Sequence, residues 1–231
     1  MKAFRYFFTL IIAAFCLSSA CAQSADNQNS VYGFDPLLYN GRIYYFFPKP
    51  GTKGSQYLDK DFDSKGVITL RGVNYLNQNI SYDIYNQLLV FKYVNAAGST
   101  NMISISEAWL EAFELGSRHF ETFAGLDSTK RIYQVLGSNR EKIVYRFSKE
   151  LMLDSFKSSG SHYFSEVKKE MFLLLTDKMI PFKNNRGFIK AFPPEDQDLI
   201  KKFIRLNKIS VKNASDGQMR ELVDYYSIIK R

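Results

Sequence analysis

Residues 66–94 read GVITLRGVNYLNQNISYDIYNQLLVFKYV, four short runs rich in aromatic and β-branched side chains, punctuated by Gly and Asn. Such side chains pack well on a pleated surface, and the spacing predicts a β-meander with strands over 67–70, 73–76, 80–85 and 88–94. Asn86-Gln87 predicts a tight hairpin turn and Arg71-Gly72 a turn or bulge. Ile80, Tyr82 and Ile84 alternate with Ser81, Asp83 and Tyr85, the period of two that a half-buried strand requires. Alternation across a sheet accounts for Asp83 without a catalytic role.

The pattern extends in both directions. Upstream, Asp35-Pro36 and Asn40-Gly41 read as turns, and 43–47 is a strand stopped by Pro48-Lys49-Pro50-Gly51. Downstream, strands are expected over 102–105, 109–113, 118–123, 131–136, 143–147, 163–167, 171–175 and 179–182, although Trp109 and Phe113, four apart, also fit a short helix over 106–115. Strands at this spacing imply an antiparallel sheet that curls, closes partly into a barrel or folds into a sandwich.

After residue 183 the period changes to 3.6. Pro193-Pro194 opens a helix with an apolar stripe of Leu199, Ile200, Phe203, Ile204 and Leu206, and Asn207 suits its exit. Ser215 and Gln218 form a capping-box pattern for a final helix striped by Met219, Leu222, Val223, Tyr226 and Ile229. The fold class expected is α+β, a mainly antiparallel curled sheet followed by two or three C-terminal helices. The connection between the two helices is longer than a helix-turn-helix uses.

Lys2 and Arg5, the apolar run 7–17 and small residues over 18–22 have the form of a signal peptide. Ala20-Cys21-Ala22 fits ordinary signal peptidase, whereas Ser18-Ser19-Ala20-Cys21 is lipobox-like and would make Cys21 a lipidated first residue. The expected organisation is a signal peptide over 1–22, a flexible segment over 23–40, a β-rich domain over 41–183 and a basic helical segment over 184–231. The chain is thus expected in the periplasm or at the outer membrane, exported and without a transmembrane span. Cys16 and Cys21 are its only cysteines, so neither processing route leaves a thiol for a disulfide or a metal.

The formal charge is +8, and residues 176–231 hold 12 basic against 7 acidic side chains. That basic end suits a solvated helix face or an anionic envelope component, and export argues against nucleic acid.

Catalytic patterns are sparse. His119 and His162 are the only histidines and no metal-ligand spacing joins them. Asp59, Asp61 and Asp63 begin like a calcium loop, but Ser64 replaces the turn glycine and Leu70 the closing glutamate. Ser165 and Lys168 match S-x-x-K only in form, and Gly51-Thr52-Lys53-Gly54 lacks phosphate-loop spacing. No cofactor is indicated. Paired carboxylates for glycoside hydrolysis need not be adjacent in sequence, so that reading stays open. Tyr44, Tyr45, Phe46 and Phe47 place aromatic rings on both faces of one strand, as core or as a ligand groove.

Asn40-Gly41-Arg42, residues 51–58, 66–75, Tyr82-Asp83-Ile84-Tyr85 and the helical end, 200–211 with 222–226, together resemble a group of uncharacterised exported β-rich proteins of Bacteroidota-type bacteria. The resemblance implies export, a strand-rich body and a Lys-rich helical end. It carries no catalytic residues. The functional expectation is a non-catalytic envelope module that binds a partner protein or envelope component, with a glycan-directed hydrolase or an aromatic small-ligand carrier as alternatives.

Overall fold

The computed structural model describes residues 35–59, 62, 65–153, 161–175 and 178–230. Cys16, Cys21, Asp61 and Asp63 lie outside the described residues. The chain divides into two compact units, Met1–Tyr39 and Asn40–Arg231. Of the first, the described part is a helical turn, α1 (Pro36–Tyr39), opened by Asp35, whose carboxylate accepts from the Leu37 amide at 2.7 Å.

The second unit is α+β. Its strands are β1 (Arg42–Ile43), β2 (Lys65–Leu70), β3 (Val73–Asp83), β4 (Leu88–Val94), β5 (Thr100–Ser104), β6 (Leu110–Leu115) and β7 (Arg118–Ala124). They continue with β8 (Lys130–Leu136), β9 (Lys142–Ser148), β10 (Leu151–Leu153), β11 (His162–Phe164), β12 (Lys168–Leu175) and β13 (Lys178–Phe182). Three helices follow: α2 (Asn185–Lys190), α3 (Pro194–Leu206) and α4 (Asp216–Ile229). Eleven strands form one open antiparallel sheet in the order β1-β5-β4-β3-β2-β6-β7-β8-β9-β12-β13, and β10 and β11 pair separately.

Several expectations change in detail. Residues 73–83 hold one long strand rather than two, because pairing with β2 resumes on both sides of a bulge at Leu76-Asn77, where Asn77 takes a left-handed φ of 58°. β3 pairs with β2 over Val73–Asn79 and with β4 over Ile80–Asp83, so it serves two parts of the sheet. At the crossing, a Cβ on Gly66 would lie 2.4 Å from the Glu114 carbonyl oxygen and from the Ile80 side chain, and only glycine fits. Arg71-Gly72 is a two-residue turn with both φ positive, whereas β3 and β4 are joined by four residues, 84–87, rather than by Asn86-Gln87 alone. Residues 110–115 are strand, not helix, since Phe113 lies opposite Phe120 on β7.

The curl has a visible cause. Tyr82, from the second half of β3, places its ring edge-on to Phe113 and Phe120, at 5.7 and 5.6 Å, while those two stack at 4.6 Å. Its hydroxyl donates to Gln87, and the Gln87 amide donates to the Phe147 carbonyl at the end of β9, at 2.8 Å. The β3–β4 hairpin is thereby folded across the inner face of β6–β9.

Along β8 and β9 that inner face is covered by α4, which buries Met219, Leu222, Val223 and Tyr226. The expected capping box is present: Ser215 Oγ accepts from the Gln218 amide and Gln218 Oε1 from the Ser215 amide. α3 packs on α4, so the helices meet each other as well as the sheet. The extra helix α2 is capped by the Asn184 side chain, which accepts from the Gly187 amide. A run of edge-on ring contacts, Phe182–Phe188–Phe192–Tyr226, ties it to β13 and α4. Among the described residues no helix is long and apolar enough to cross a membrane.

Candidate functional site

Expected as one strand, 43–47 is laddered at Arg42–Ile43 and keeps one further bond, from the Tyr44 amide to the Met102 carbonyl of β5, after which the chain runs over the meander. This covering segment, residues 44–59 with Phe62, changes the reading of β3. Ser81 and Asp83 are as buried as Ile80 and Tyr82, so the strand is enclosed on both faces instead of one. The segment lies along the free side of β3: the Leu58 amide donates to the Tyr82 carbonyl, the Ile84 amide to the Gln56 carbonyl, and the Phe62 amide to Ser81 Oγ.

Asp83 is the centre of this arrangement. Its carboxylate accepts four hydrogen bonds: from the Tyr44 hydroxyl at 2.6 Å, the Tyr85 and Asn86 amides at 3.0 and 2.8 Å, and Asn86 Nδ2 at 2.7 Å. A buried carboxylate needs this saturation, since each missing partner costs its full desolvation penalty. Burial, then the bond to Asp83, drives the Tyr44 pKa far above the ordinary phenol range. Nearby, the Lys149 ammonium donates to the Ser55 and Tyr57 carbonyls at 2.7 and 2.8 Å. Burial lowers its pKa, and Glu166, Asp59 and Asp83 act in the opposite direction.

Beside this network lies a groove of about 620 Å³ running along residues 40–46 and walled by Asn86, Leu88 and 104–108. Asn86 links the two features, holding Asp83 on one side and lining the groove on the other. The aromatic run splits there. Tyr44 is buried, while Tyr45 and Phe47 are 76% and 66% exposed, as is Ile43 at 63%. Sequence reading placed rings on both faces of this strand but missed the Tyr44–Asp83 bond, which joins residues 39 apart. The local signal was Asp83 followed by Asn86, the short side-chain-to-amide pattern of an Asx turn.

The remaining candidates sit elsewhere. His119 is on the outer face of β7, its Nε2 3.3 Å from Glu121, which also takes Lys142 at 3.0 Å; Glu114 lies 3.9 Å from Nδ1. This cluster is half-exposed and polar, with Lys142–Glu121 as its ion pair. His162 belongs to β11, where its carbonyl accepts from the Lys53 amide. Ser165 Oγ accepts from the Glu150 amide and donates to the Glu166 carbonyl, and Lys168 reaches toward Glu170, so the S-x-x-K residues are not brought together. Asp59 pairs with Arg118. Among the described residues no group of three or more His, Cys, Asp or Glu is placed to hold a metal ion. Compared with family models, curated proteins and solved structures, the chain matches none.

Proposed function

We propose that this chain is an exported, non-catalytic binding module of the cell envelope and that the groove along residues 40–46 is its working surface. One observation carries the reading: the groove is lined by two exposed apolar residues, Ile43 and Tyr45, and a third exposed apolar residue, Phe47, follows directly after the lining run. A solvent-exposed apolar row beside a concave surface is the feature that contacts with partners use. Asp83, held by Asn86 at the groove wall, is enclosed and takes four donors, which suits an anchor rather than a general acid or base, and Glu107 is the single carboxylate among the lining residues, without the second that glycoside hydrolysis needs. Tyr82, Phe113 and Phe120 fill the curl of the sheet, which favours surface binding over carriage of a ligand inside it.

The test uses the processed chain in two assays. In the first, immobilised protein is exposed to solubilised envelope fractions. A stoichiometric component retained by the wild type and lost on Tyr45→Lys supports the reading. In the second, turnover of envelope and dietary glycans is screened, and hydrolysis abolished by changing one acidic residue would replace binding with catalysis.

A further inference from the structure

We propose that the outer edge of β1 accepts an extended segment of a partner protein as an added strand, and that this segment is apolar on one face and acidic on the other. The inference rests on the binding reading above and names the partner's chemistry. Among the described residues β1 has β5 on one side only. Arg42 lies opposite Ser104, and the Tyr44 amide donates to the Met102 carbonyl. Hydrogen-bonded positions alternate in an antiparallel ladder, so Ile43 and Tyr45 turn their N–H and C=O groups away from β5. The residues with outward backbone are thus the ones with exposed apolar side chains. Main-chain pairing with alternate side-chain contacts is how a peptide adds to a sheet edge.

The opposite edge shows what a protected edge looks like here. β13 carries Pro181 within the strand and Lys178 at its start, and α2 follows directly. Proline and lysine are the usual means of refusing another strand. β1 has one charge, Arg42 at its start, and no proline follows until Pro48, five residues past Ile43.

Charge selects the occupant. Arg42 and Lys49 are exposed, neither forms an ion pair among the described residues, and residues 40–51 include no acid, so these two cations outnumber the one acid lining the groove, Glu107. An incoming strand therefore gains from carboxylates. A second copy would bring two such cationic edges together, and three apolar side chains fall well short of the roughly 20–30 residues a side of a stable interface.

Fluorescence anisotropy tests the proposal with three labelled decapeptides: alternating Val and Asp, the same with Lys for Asp, and the Val/Asp peptide N-methylated at alternate amides. The Val/Asp probe should bind saturably, and each of the other two about tenfold or more weakly, a loss of about 1.4 kcal/mol. Tyr45→Pro should abolish binding without unfolding the chain, as that amide faces outward; circular dichroism checks the fold. Arg42→Glu should shift preference toward the Lys probe. Equal affinity for the N-methylated peptide, or no saturable binding of the Val/Asp probe to folded protein, overturns the proposal. Sedimentation revealing a dimer that Tyr45→Pro dissolves would assign the edge to a second copy and overturn it as well. Envelope capture that survives Tyr45→Pro defeats the added strand while leaving the binding reading intact.

Discussion

Two coverings close this sheet, and each contains a tyrosine bonded to a buried aspartate. The covering segment is tied by Tyr44 to Asp83 at 2.6 Å, and the C-terminal helices by Tyr226 to Asp196 at 2.9 Å. The surroundings differ. α3 and α4 satisfy their own backbone groups internally and present apolar stripes, so Tyr226–Asp196 is an addition to a surface already held by Met219, Leu222 and Val223. The covering segment has almost no regular structure, and its amides and carbonyls are met by β3, by Ser81 and by Lys149. An irregular covering must find polar partners in the layer beneath it, so that layer has to bury polar side chains.

The sharpest way to break this distinction is to remove Asp83. Asp83→Ala leaves the buried Tyr44 hydroxyl without its acceptor and the half-buried Tyr85 and Asn86 amides without theirs, and should destabilise the chain by about 4 kcal/mol in urea unfolding. A cost under about 1 kcal/mol would mean that packing of Tyr44, Tyr57 and Phe62 against Val90 holds the segment instead.

On the helical side the ranking reverses. Leu222→Ala opens a cavity beneath α4 and should cost about 3 kcal/mol, whereas Tyr226→Phe, which removes one hydrogen bond beside Lys230, should cost about 1 kcal/mol. If Tyr226→Phe proved as damaging as Asp83→Ala in the same urea series, the two coverings would be equivalent and the contrast would fail.

The same contrast explains what could be read from the chain beforehand. Regular elements are local: the capping box at Ser215 and Gln218, the 3.6 period of the helices and the short turn-punctuated runs of β6–β9 are spelled out within a few residues. α2 is a short exception, its Asn184 cap followed by Arg186 and Gly187, which leave little apolar period to detect. At Ile80–Asp83 alternation identified the strand and misjudged its environment. Ser81 and Asp83 look like a solvent face because their partners, Phe62, Tyr44 and the turn at Tyr85-Asn86, come mostly from a segment with no period of its own. The groove escaped for the same reason. It depends on the chain leaving the ladder after Tyr44, and the run Tyr44-Tyr45-Phe46-Phe47 reads as an ordinary strand until that departure is seen.

The smallest effects expected come from two lysines, Lys149 bonded to the covering segment and Lys230 at the end of the helical covering, that should respond to pH with opposite signs. Burial lowers the Lys149 pKa, so between its folded value and the unfolded value of about 10.4 the unfolded chain binds more protons, and stability rises with pH. The hydrogen bond from Lys230 to Asp196 at 2.8 Å raises the Lys230 pKa, so its contribution is complete below about 10.4 and is lost as pH climbs through the folded value. Comparing wild type with Lys149→Met and with Lys230→Met across pH 8 to 11.5 cancels the tyrosines that all three share. The advantage of wild type over Lys149→Met should grow toward the alkaline end, and its advantage over Lys230→Met should shrink. Parallel slopes would show that the covering segment tolerates a charged Lys149 as easily as the helices tolerate Lys230, and that its carbonyls, not its burial, set the behaviour of that amine.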